Sequence, residues 1–117
     1  MGRLTTHVLD TAQGIPAAGM DVALTLVNGT EWTEITSAVT NADGRLDGPL
    51  LDDEAFGVGT YELAFDVAGY FRGQPVTTAE PPFLDVVIIR FTVADAAAHY
   101  HVPLLVSPWA YSTYRGS

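Results

Sequence analysis

Residues 21–31, DVALTLVNGTE, combine two features that decide the fold. Apolar side chains recur at every second position, at Val22, Leu24 and Leu26, and a period of two places them on one face of a β-strand. The dipeptide Asn28-Gly29 follows, and Asn-Gly is typical of the tight turn of a β-hairpin. This stretch therefore predicts two antiparallel strands that are joined by a short loop.

The same alternation recurs along the rest of the chain. The predicted strands are Leu4–Asp10, Asp21–Val27, Glu31–Thr40, Thr60–Val67, a strand that opens at Phe83-Leu84 and runs on through Val86–Val93, His99–Ser107 and Trp109–Tyr114. Residues Ala68–Gln74 are expected to form a helical turn, and no longer helix is indicated. Seven or eight short strands separated by turns predict an all-β sandwich. The length of 117 residues predicts a single domain, 1–117.

Composition excludes several classes of function. The chain has a net charge of -9 and no lysine, so a basic surface for nucleic acid is not expected. It has no cysteine, which excludes disulfides and thiolate ligands. No apolar run approaches the ~18 residues of a membrane span. The segment Met1–Leu4 leads straight into a polar stretch without the features of a secretion signal, and a cytoplasmic location is expected.

The three histidines are the first candidates for chemistry. His99 and His101 lie two apart on a predicted strand and therefore face the same side. His7 lies in the middle of the first strand and shares its face with Thr5 and Leu9. A single strand histidine is commonly a surface or satisfied core residue. Three of them, beside threonine and tyrosine, favour a site.

Other chemistries have weaker support in the sequence. The three histidines could form a zinc site with an open fourth position, but no carboxylate is placed to join them, since Asp95 precedes its strand and Asp10 faces away from His7. A serine nucleophile would need a Gly-x-Ser-x-Gly elbow, which the sequence lacks. Most acidic residues lie in turns, as in Asp52-Asp53-Glu54, and indicate solvated charge rather than a paired-carboxylate site.

The end of the chain, Tyr111–Ser117, reads YSTYRGS. Chain ends usually fray, yet Ser112 and Tyr114 share one face of the last predicted strand. This pattern indicates an ordered end that presents hydroxyl groups. Arg115 and the terminal carboxylate would then reach a pocket or a neighbouring chain.

Three motifs give the chain a specific resemblance. Leu4–Gly14, LTTHVLDTAQG, resembles the opening of the 5-hydroxyisourate hydrolases, and Thr40–Arg45, TNADGR, resembles their second motif. The third comprises His99–Leu105, HYHVPLL, then Ser107-Pro108 and Tyr111–Ser117. The resemblance spans the whole chain, and the ending Tyr-Arg-Gly-Ser is its most specific element. Trp109, where tyrosine is commoner, and Val106, where leucine is commoner, are small departures.

The resemblance implies a fold and an assembly. The expected fold is transthyretin-like, an eight-stranded β-sandwich with one short helix, assembled into a homotetramer whose sites lie in a channel between dimers. Transthyretin itself is a hormone carrier that lacks the histidine, arginine and histidine found here at His7, Arg45 and His101. That contrast favours the enzyme over the alternative, a non-catalytic transthyretin-like protein that binds a small molecule.

The resemblance also implies an activity, the hydrolytic opening of the lactam of 5-hydroxyisourate during urate breakdown. The absence of cysteine and of a convincing carboxylate ligand predicts that the reaction needs no metal, and no cofactor is expected. The catalytic residues implied are His7, Arg45 and His101, and the resemblance gives His99 no catalytic role. The residues implied to bind the substrate are Ser112, Tyr114, Arg115, Gly116 and Ser117. A cation such as Arg45 lowers the pKa of a nearby histidine and keeps it neutral. His7 with Arg45 would activate water and His101 would be the acid or orienter, although the two histidines could exchange roles.

Overall fold

A computed structural model describes residues 2–116, which form two β-sheets and one short helix. The strands are β1 (Arg3–Asp10), β2 (Ile15–Pro16), β3 (Asp21–Asn28), β4 (Glu31–Val39), β5 (Leu51–Asp52), β6 (Gly59–Asp66), β7 (Val86–Val93), β8 (His99–Val106) and β9 (Tyr111–Thr113). A 3-10 turn spans Asp53–Ala55, and the helix α1 spans Val67–Arg72. Within residues 2–116 no helix is long and apolar enough to cross a membrane.

The two sheets differ in how they are connected. One has the order β4-β3-β6-β7, in which all neighbours are antiparallel. The other has the order β2-β1-β8-β9, with β5 added to β1. Its central pair, β1 and β8, is parallel, so that residues from the two ends of the chain lie side by side.

The core lies between the sheets and is filled by the inward faces of the alternating strands. Leu4 and Val8 on β1, Leu24 on β3, and Leu63 and Phe65 on β6 are fully buried. Burying one such side chain contributes about 1.5–3 kcal/mol, so these alternating faces fix which side of each strand turns inward. The prediction of an all-β sandwich is confirmed.

Several local predictions are also confirmed. Asn28 pairs with Glu31 across the predicted hairpin, and Gly29 adopts a φ of 63° in its loop. The expected helical turn is α1, which begins slightly earlier than predicted. The carboxylate of Asp66 caps this helix by accepting the backbone N–H of Gly69 at 3.0 Å.

Two strands depart from their predicted bounds by more than one residue. Phe83-Leu84 lies outside any strand, and β7 begins only at Val86. Two prolines precede Phe83, and proline has no N–H to donate to a sheet. The last strand is β9 rather than Trp109–Tyr114, because the Ser107 hydroxyl accepts the N–H groups of Trp109 and Ala110 and turns the chain there.

A buried carboxylate fixes the end of β1. Asp10 is 1% exposed, and its oxygens accept the backbone N–H groups of Ala12 and Gln13 and the hydroxyl of Tyr70 at 2.8 Å. Burial, then the bond to Asp10 and its charge, raise the pKa of Tyr70. Because Tyr70 lies on α1, this network ties the helix to β1.

Candidate active site

The outer face of the β1–β8 pair carries the candidate residues. On β1 the side chains of Leu4, Thr6 and Val8 are buried, and those of Thr5 and His7 lie on the opposite, partly exposed face. Cross-strand partners share a face. The observed register therefore brings the residues of one outer face together, with Arg3 opposite His99, Thr5 opposite His101 and His7 opposite Pro103.

The loop that follows β4 delivers Arg45 to this face. Arg45 forms an isolated antiparallel bridge with His7, and Gly44 O accepts the backbone N–H of Val8 at 2.8 Å. Gly44 has a φ of 73°, and a Cβ at this position would overlap the carbonyl oxygen of Val8. Only glycine fits this close approach. The Asn41 side chain shapes the loop by accepting the N–H groups of Asp43 at 2.9 Å and Arg45 at 3.1 Å.

His7 is oriented by the same loop. Its Nε2 lies 3.1 Å from the carbonyl oxygen of Asp43. A carbonyl can only accept, so Nε2 carries the proton and Nδ1 is the free acceptor of the neutral ring. The centroid of the His7 ring lies 6.5 Å from that of His101, a separation that leaves the two imidazoles as neighbours without direct hydrogen bonding.

Thr5 links the other two histidines. Its Oγ1 lies 2.8 Å from Nδ1 of His101 and 2.9 Å from Nε2 of His99. The rings of His99 and His101 are 6.3 Å apart, so the hydroxyl joins imidazoles that do not touch each other. His101 thus has one ring nitrogen engaged by Thr5, and its Nε2 remains for other chemistry.

The electrostatics of the face favour neutral imidazoles. Burial lowers the pKa of His7 and the Arg45 charge lowers it further, whereas the backbone carbonyl and the carboxylate of Asp43 act in the opposite direction. Burial also lowers the pKa of His101, followed by the charges of Arg45, His7 and His99. A histidine with a lowered pKa is unprotonated at neutral pH and can accept a proton.

A pocket of about 570 Å³ opens beside these groups. Arg3, Thr5, His99 and His101 form one side of it. The other side runs from Arg45 through Leu46, Asp47 and Gly48 to Pro49. His7 lies next to His101 but is not among the residues that line this pocket. A second, largely apolar groove of about 430 Å³ lies over the other sheet, around Ala23, Ala38 and Val39, and its lining includes no histidine or arginine.

The C-terminal segment lies along β8. The N–H of Gly116 donates to His101 O at 2.7 Å, and a Cβ at 116 would approach Cδ2 of His101 to 2.9 Å. The Arg115 guanidinium lies 4.0 Å from the centroid of the Tyr100 ring, and its Nη2 donates to His99 O at 3.4 Å. Both residues therefore contact the strand that carries the histidines.

Comparison with known proteins identifies the family. A family model described as the HIUase/Transthyretin family matches residues 4–116. The chain belongs to this family. A 5-hydroxyisourate hydrolase of Deinococcus radiodurans is 61% identical over 114 residues, which cover 97% of this chain and 95% of that protein.

Solved structures of the family share the whole fold. A 5-hydroxyisourate hydrolase of Klebsiella pneumoniae has a TM-score of 0.82 and 31% identity, and the match covers 100% of both chains. Sea bream transthyretin in complex with thyroxine has a TM-score of 0.86 and 29% identity, covering 97% of this chain and 94% of that one. The HIUase/Transthyretin fold is thus shared by a protein named as a hydrolase and by a transthyretin that was solved with thyroxine.

In this family member, the residues predicted to be catalytic are brought together. His7, Arg45 and His101 lie on one sheet face. Ser112 pairs with Leu105 and so shares that outer face, farther along β8. Tyr114 is 60% exposed and borders a separate cleft with Arg115. Ser117 lies outside the described residues.

Sequence reasoning named His99 as a candidate but gave it no catalytic role, and it missed Thr5, whose hydroxyl bonds both His99 and His101. The sequence does place Thr5 on the face of His7 and His99 on the face of His101. The contact between them depends on the parallel pairing of β1 with β8, a partner choice that alternation alone does not reveal. Within residues 2–116, no three histidine, cysteine or acidic side chains are grouped so that they could hold a metal ion.

Proposed function

We propose that this chain hydrolyses 5-hydroxyisourate and opens its lactam ring as a step of urate breakdown. The observation that carries the proposal is the placement of Arg45 beside His7 and His101 on one sheet face, with the pKa of both histidines lowered. The full-length similarity to proteins named 5-hydroxyisourate hydrolase supports it.

Hydrolysis of a lactam needs three things: an activated water, a group that stabilises the tetrahedral oxyanion, and a proton for the leaving nitrogen. We assign the activation of water to His7, whose Nδ1 is free because its Nε2 donates to Asp43 O. Burial and, after it, the charge of Arg45 lower the pKa of His7 and keep it neutral. The Arg45 guanidinium also supplies positive charge where the oxyanion develops. His101 delivers the proton, and its Nε2 is the nitrogen left open by Thr5.

The pocket also suits the product of such a reaction. Opening a lactam with water leaves one carboxyl group and one N–H group, so negative charge appears where the ring carbonyl was. Arg3 and Arg45 both line the pocket. Two guanidinium groups there offset the repulsion that a chain of net charge -9 exerts on an anion.

We further propose that the site is completed in a homotetramer. The aromatic side chains around β9 are unusually exposed, with Trp109 at 54%, Tyr111 at 47% and Tyr114 at 60%. Among residues 2–116, β7 and β9 are edge strands with no strand paired on their outer side, and such an edge can pair with another chain. A neighbouring copy would bring hydroxyl groups towards the pocket, and the proposed substrate-binding roles of Ser112, Tyr114, Arg115, Gly116 and Ser117 depend on that closure.

The reaction as proposed uses side chains alone, without metal or cofactor. Two further expectations stay predictions: that 1–117 is a single domain, and that the protein works in the cytoplasm.

The test is a spectroscopic assay with freshly generated 5-hydroxyisourate. We expect its absorbance to decay much faster with the protein than in the spontaneous reaction. The alternative is a carrier, suggested by the similarity to a transthyretin solved with thyroxine. Saturable binding of thyroxine combined with substrate decay at the spontaneous rate would favour the carrier and contradict the hydrolase.

A further inference from the structure

We infer that Thr5 and His99 form a proton relay with His101. In this relay the Thr5 hydroxyl carries a proton between Nδ1 of His101 and Nε2 of His99. The inference rests on the proposed function, which it extends by assigning a route for the proton that the reaction moves. It is carried by two short hydrogen bonds that meet at one hydroxyl, at 2.8 Å and 2.9 Å.

The single proton of the Thr5 hydroxyl gives the hydrogen bonds from His101 through Thr5 to His99 a direction. A hydroxyl has one proton to donate and oxygen lone pairs that accept, so Thr5 can donate to only one imidazole at a time. When Thr5 donates to His99, its bond to His101 needs a proton on Nδ1 of His101, and Nε2 of His101 is then a free base. When Thr5 donates to His101, the proton of that ring is on Nε2, which is then an acid.

The two states interconvert with every proton accounted for. In the first state, Nε2 of His101 takes a proton from the solvent and the ring becomes positively charged. Nδ1 of His101 then passes its proton to Thr5 Oγ1, and the hydroxyl proton of Thr5 moves to Nε2 of His99. His101 ends neutral with its proton on Nε2, and the positive charge lies on His99. The reverse sequence returns the proton from His99 to Nδ1 of His101, and Nε2 of His101 then gives its own proton to the leaving nitrogen.

The surroundings of His99 suit a residue that stores this proton. Its ring is partly exposed and lines the candidate pocket together with a neighbouring pocket of about 480 Å³. Arg3 faces both pockets, and Asp52 and Asp53 line the neighbouring one. His99 therefore lies between the proposed reaction site and a neighbouring pocket lined by Asp52 and Asp53, and a proton can leave by that side.

The adjacent threonine shows what a purely structural hydroxyl does in the same strand. Thr6 is 3% exposed, and its hydroxyl donates to the backbone carbonyl of Val102 at 2.7 Å. That bond satisfies a buried group and involves no titratable partner. The Thr5 hydroxyl lies on the opposite face and bonds two imidazoles instead. The Thr5 hydroxyl is therefore placed to transfer a proton between two imidazoles, whereas the Thr6 hydroxyl only satisfies a buried backbone carbonyl.

The test compares Thr5→Val, Thr5→Ser and His99→Gln with the wild-type protein in the spectroscopic assay. We expect Thr5→Val and His99→Gln to lower kcat by about 10²-fold, the lower end for a positioned acid–base group, with KM little changed. Thr5→Ser, which restores the hydroxyl, should recover most of the lost kcat. Thr92→Val, a β7 position on the other sheet, is the matched control and should behave like the wild type.

Two readouts separate a relay from a structural bond. The dependence of kcat on the fraction of D₂O should be curved in the wild type, since several protons move, and closer to linear in Thr5→Val. Nitrogen-15 chemical shifts, which report the tautomer of each imidazole, should change for His99 and His101 in Thr5→Val and stay constant for His7. This second readout needs no turnover, so it tests the relay even if the protein proves not to be a hydrolase.

Wild-type kcat in Thr5→Val, or unchanged His99 and His101 shifts, would overturn the relay. So would a loss of kcat in Thr5→Val that Thr5→Ser does not recover, because that outcome would show a packing effect of the side chain rather than a role of its hydroxyl.

Discussion

Replacing Gly44 by alanine should damage both stability and turnover, because this glycine holds the Arg45 loop against β1. A non-glycine residue in the left-handed region costs about 1–2 kcal/mol, and Gly44 has a φ of 73°. The added Cβ would also overlap Val8 O and break the bond from Val8 N to Gly44 O, which contributes about 1 kcal/mol. Together these effects predict a loss of about 2–3 kcal/mol.

The matched control is Gly29→Ala. Gly29 has a similar φ of 63°, but a Cβ there meets nothing within 4 Å. The Gly29→Ala substitution should therefore cost only about 1–2 kcal/mol, for placing a non-glycine residue in the left-handed region. Thermal unfolding at fixed protein concentration measures both variants, at about 4 °C per kcal/mol for a chain of this size. Gly44→Ala should also lose turnover, whereas Gly29→Ala should keep it. Equal stability of the two variants with full activity in Gly44→Ala would refute this role of Gly44.

Three further outcomes are expected. The pKa values of His7 and His101 are lowered in the folded chain, so the unfolded chain binds more protons than the folded chain just below the usual pKa of ~6.5. Both the free energy of unfolding and kcat/KM should therefore fall as the pH drops below ~6.5. A kcat/KM profile that is flat to about pH 5 would contradict neutral histidines. Dialysis against a strong chelator should leave turnover unchanged, and a loss restored by zinc would point to a metal site instead. Deleting residues 115–117 should abolish or sharply reduce turnover while the sandwich stays folded, and normal hydrolysis by the truncated chain would contradict this. Dilution that dissociates the proposed tetramer should lower turnover in parallel with the mass measured by light scattering, and a fully active monomer would contradict the shared site.

Alternation of side chains made most of the fold predictable. In β3 and β6 the residues at every second position are apolar and face inward, so these strands and their inward faces follow from the sequence. The inward face of β1 is mixed, because Thr6 and Asp10 are buried there beside Leu4 and Val8. The strand ends were harder, because they depend on single hydrogen bonds. The Ser107 hydroxyl, for example, delays the start of β9 until Tyr111.

The membership of the site was only partly predictable. The motifs around His7, Arg45 and His101 predicted that these three residues are catalytic, a role that stays a prediction, and the structure places the three on one sheet face. The position of Thr5 between His99 and His101 could not be derived, because it depends on the parallel register of two strands that are more than 90 residues apart. Nor does the sequence show that Arg115 lies over the ring of Tyr100, a contact made by the path of the chain after β9.

The most direct test of the account is the initial rate of 5-hydroxyisourate decay in a set of single variants. His7→Ala, Arg45→Ala and His101→Ala should each lower turnover by ~10²–10⁴-fold relative to the wild type. Arg72→Ala, at the exposed end of α1, should match the wild type, and all four variants should keep the unfolding transition of a folded sandwich. Wild-type rates in any of the three site variants would contradict the proposed roles, and a wild-type protein no faster than the spontaneous decay would contradict the hydrolase itself.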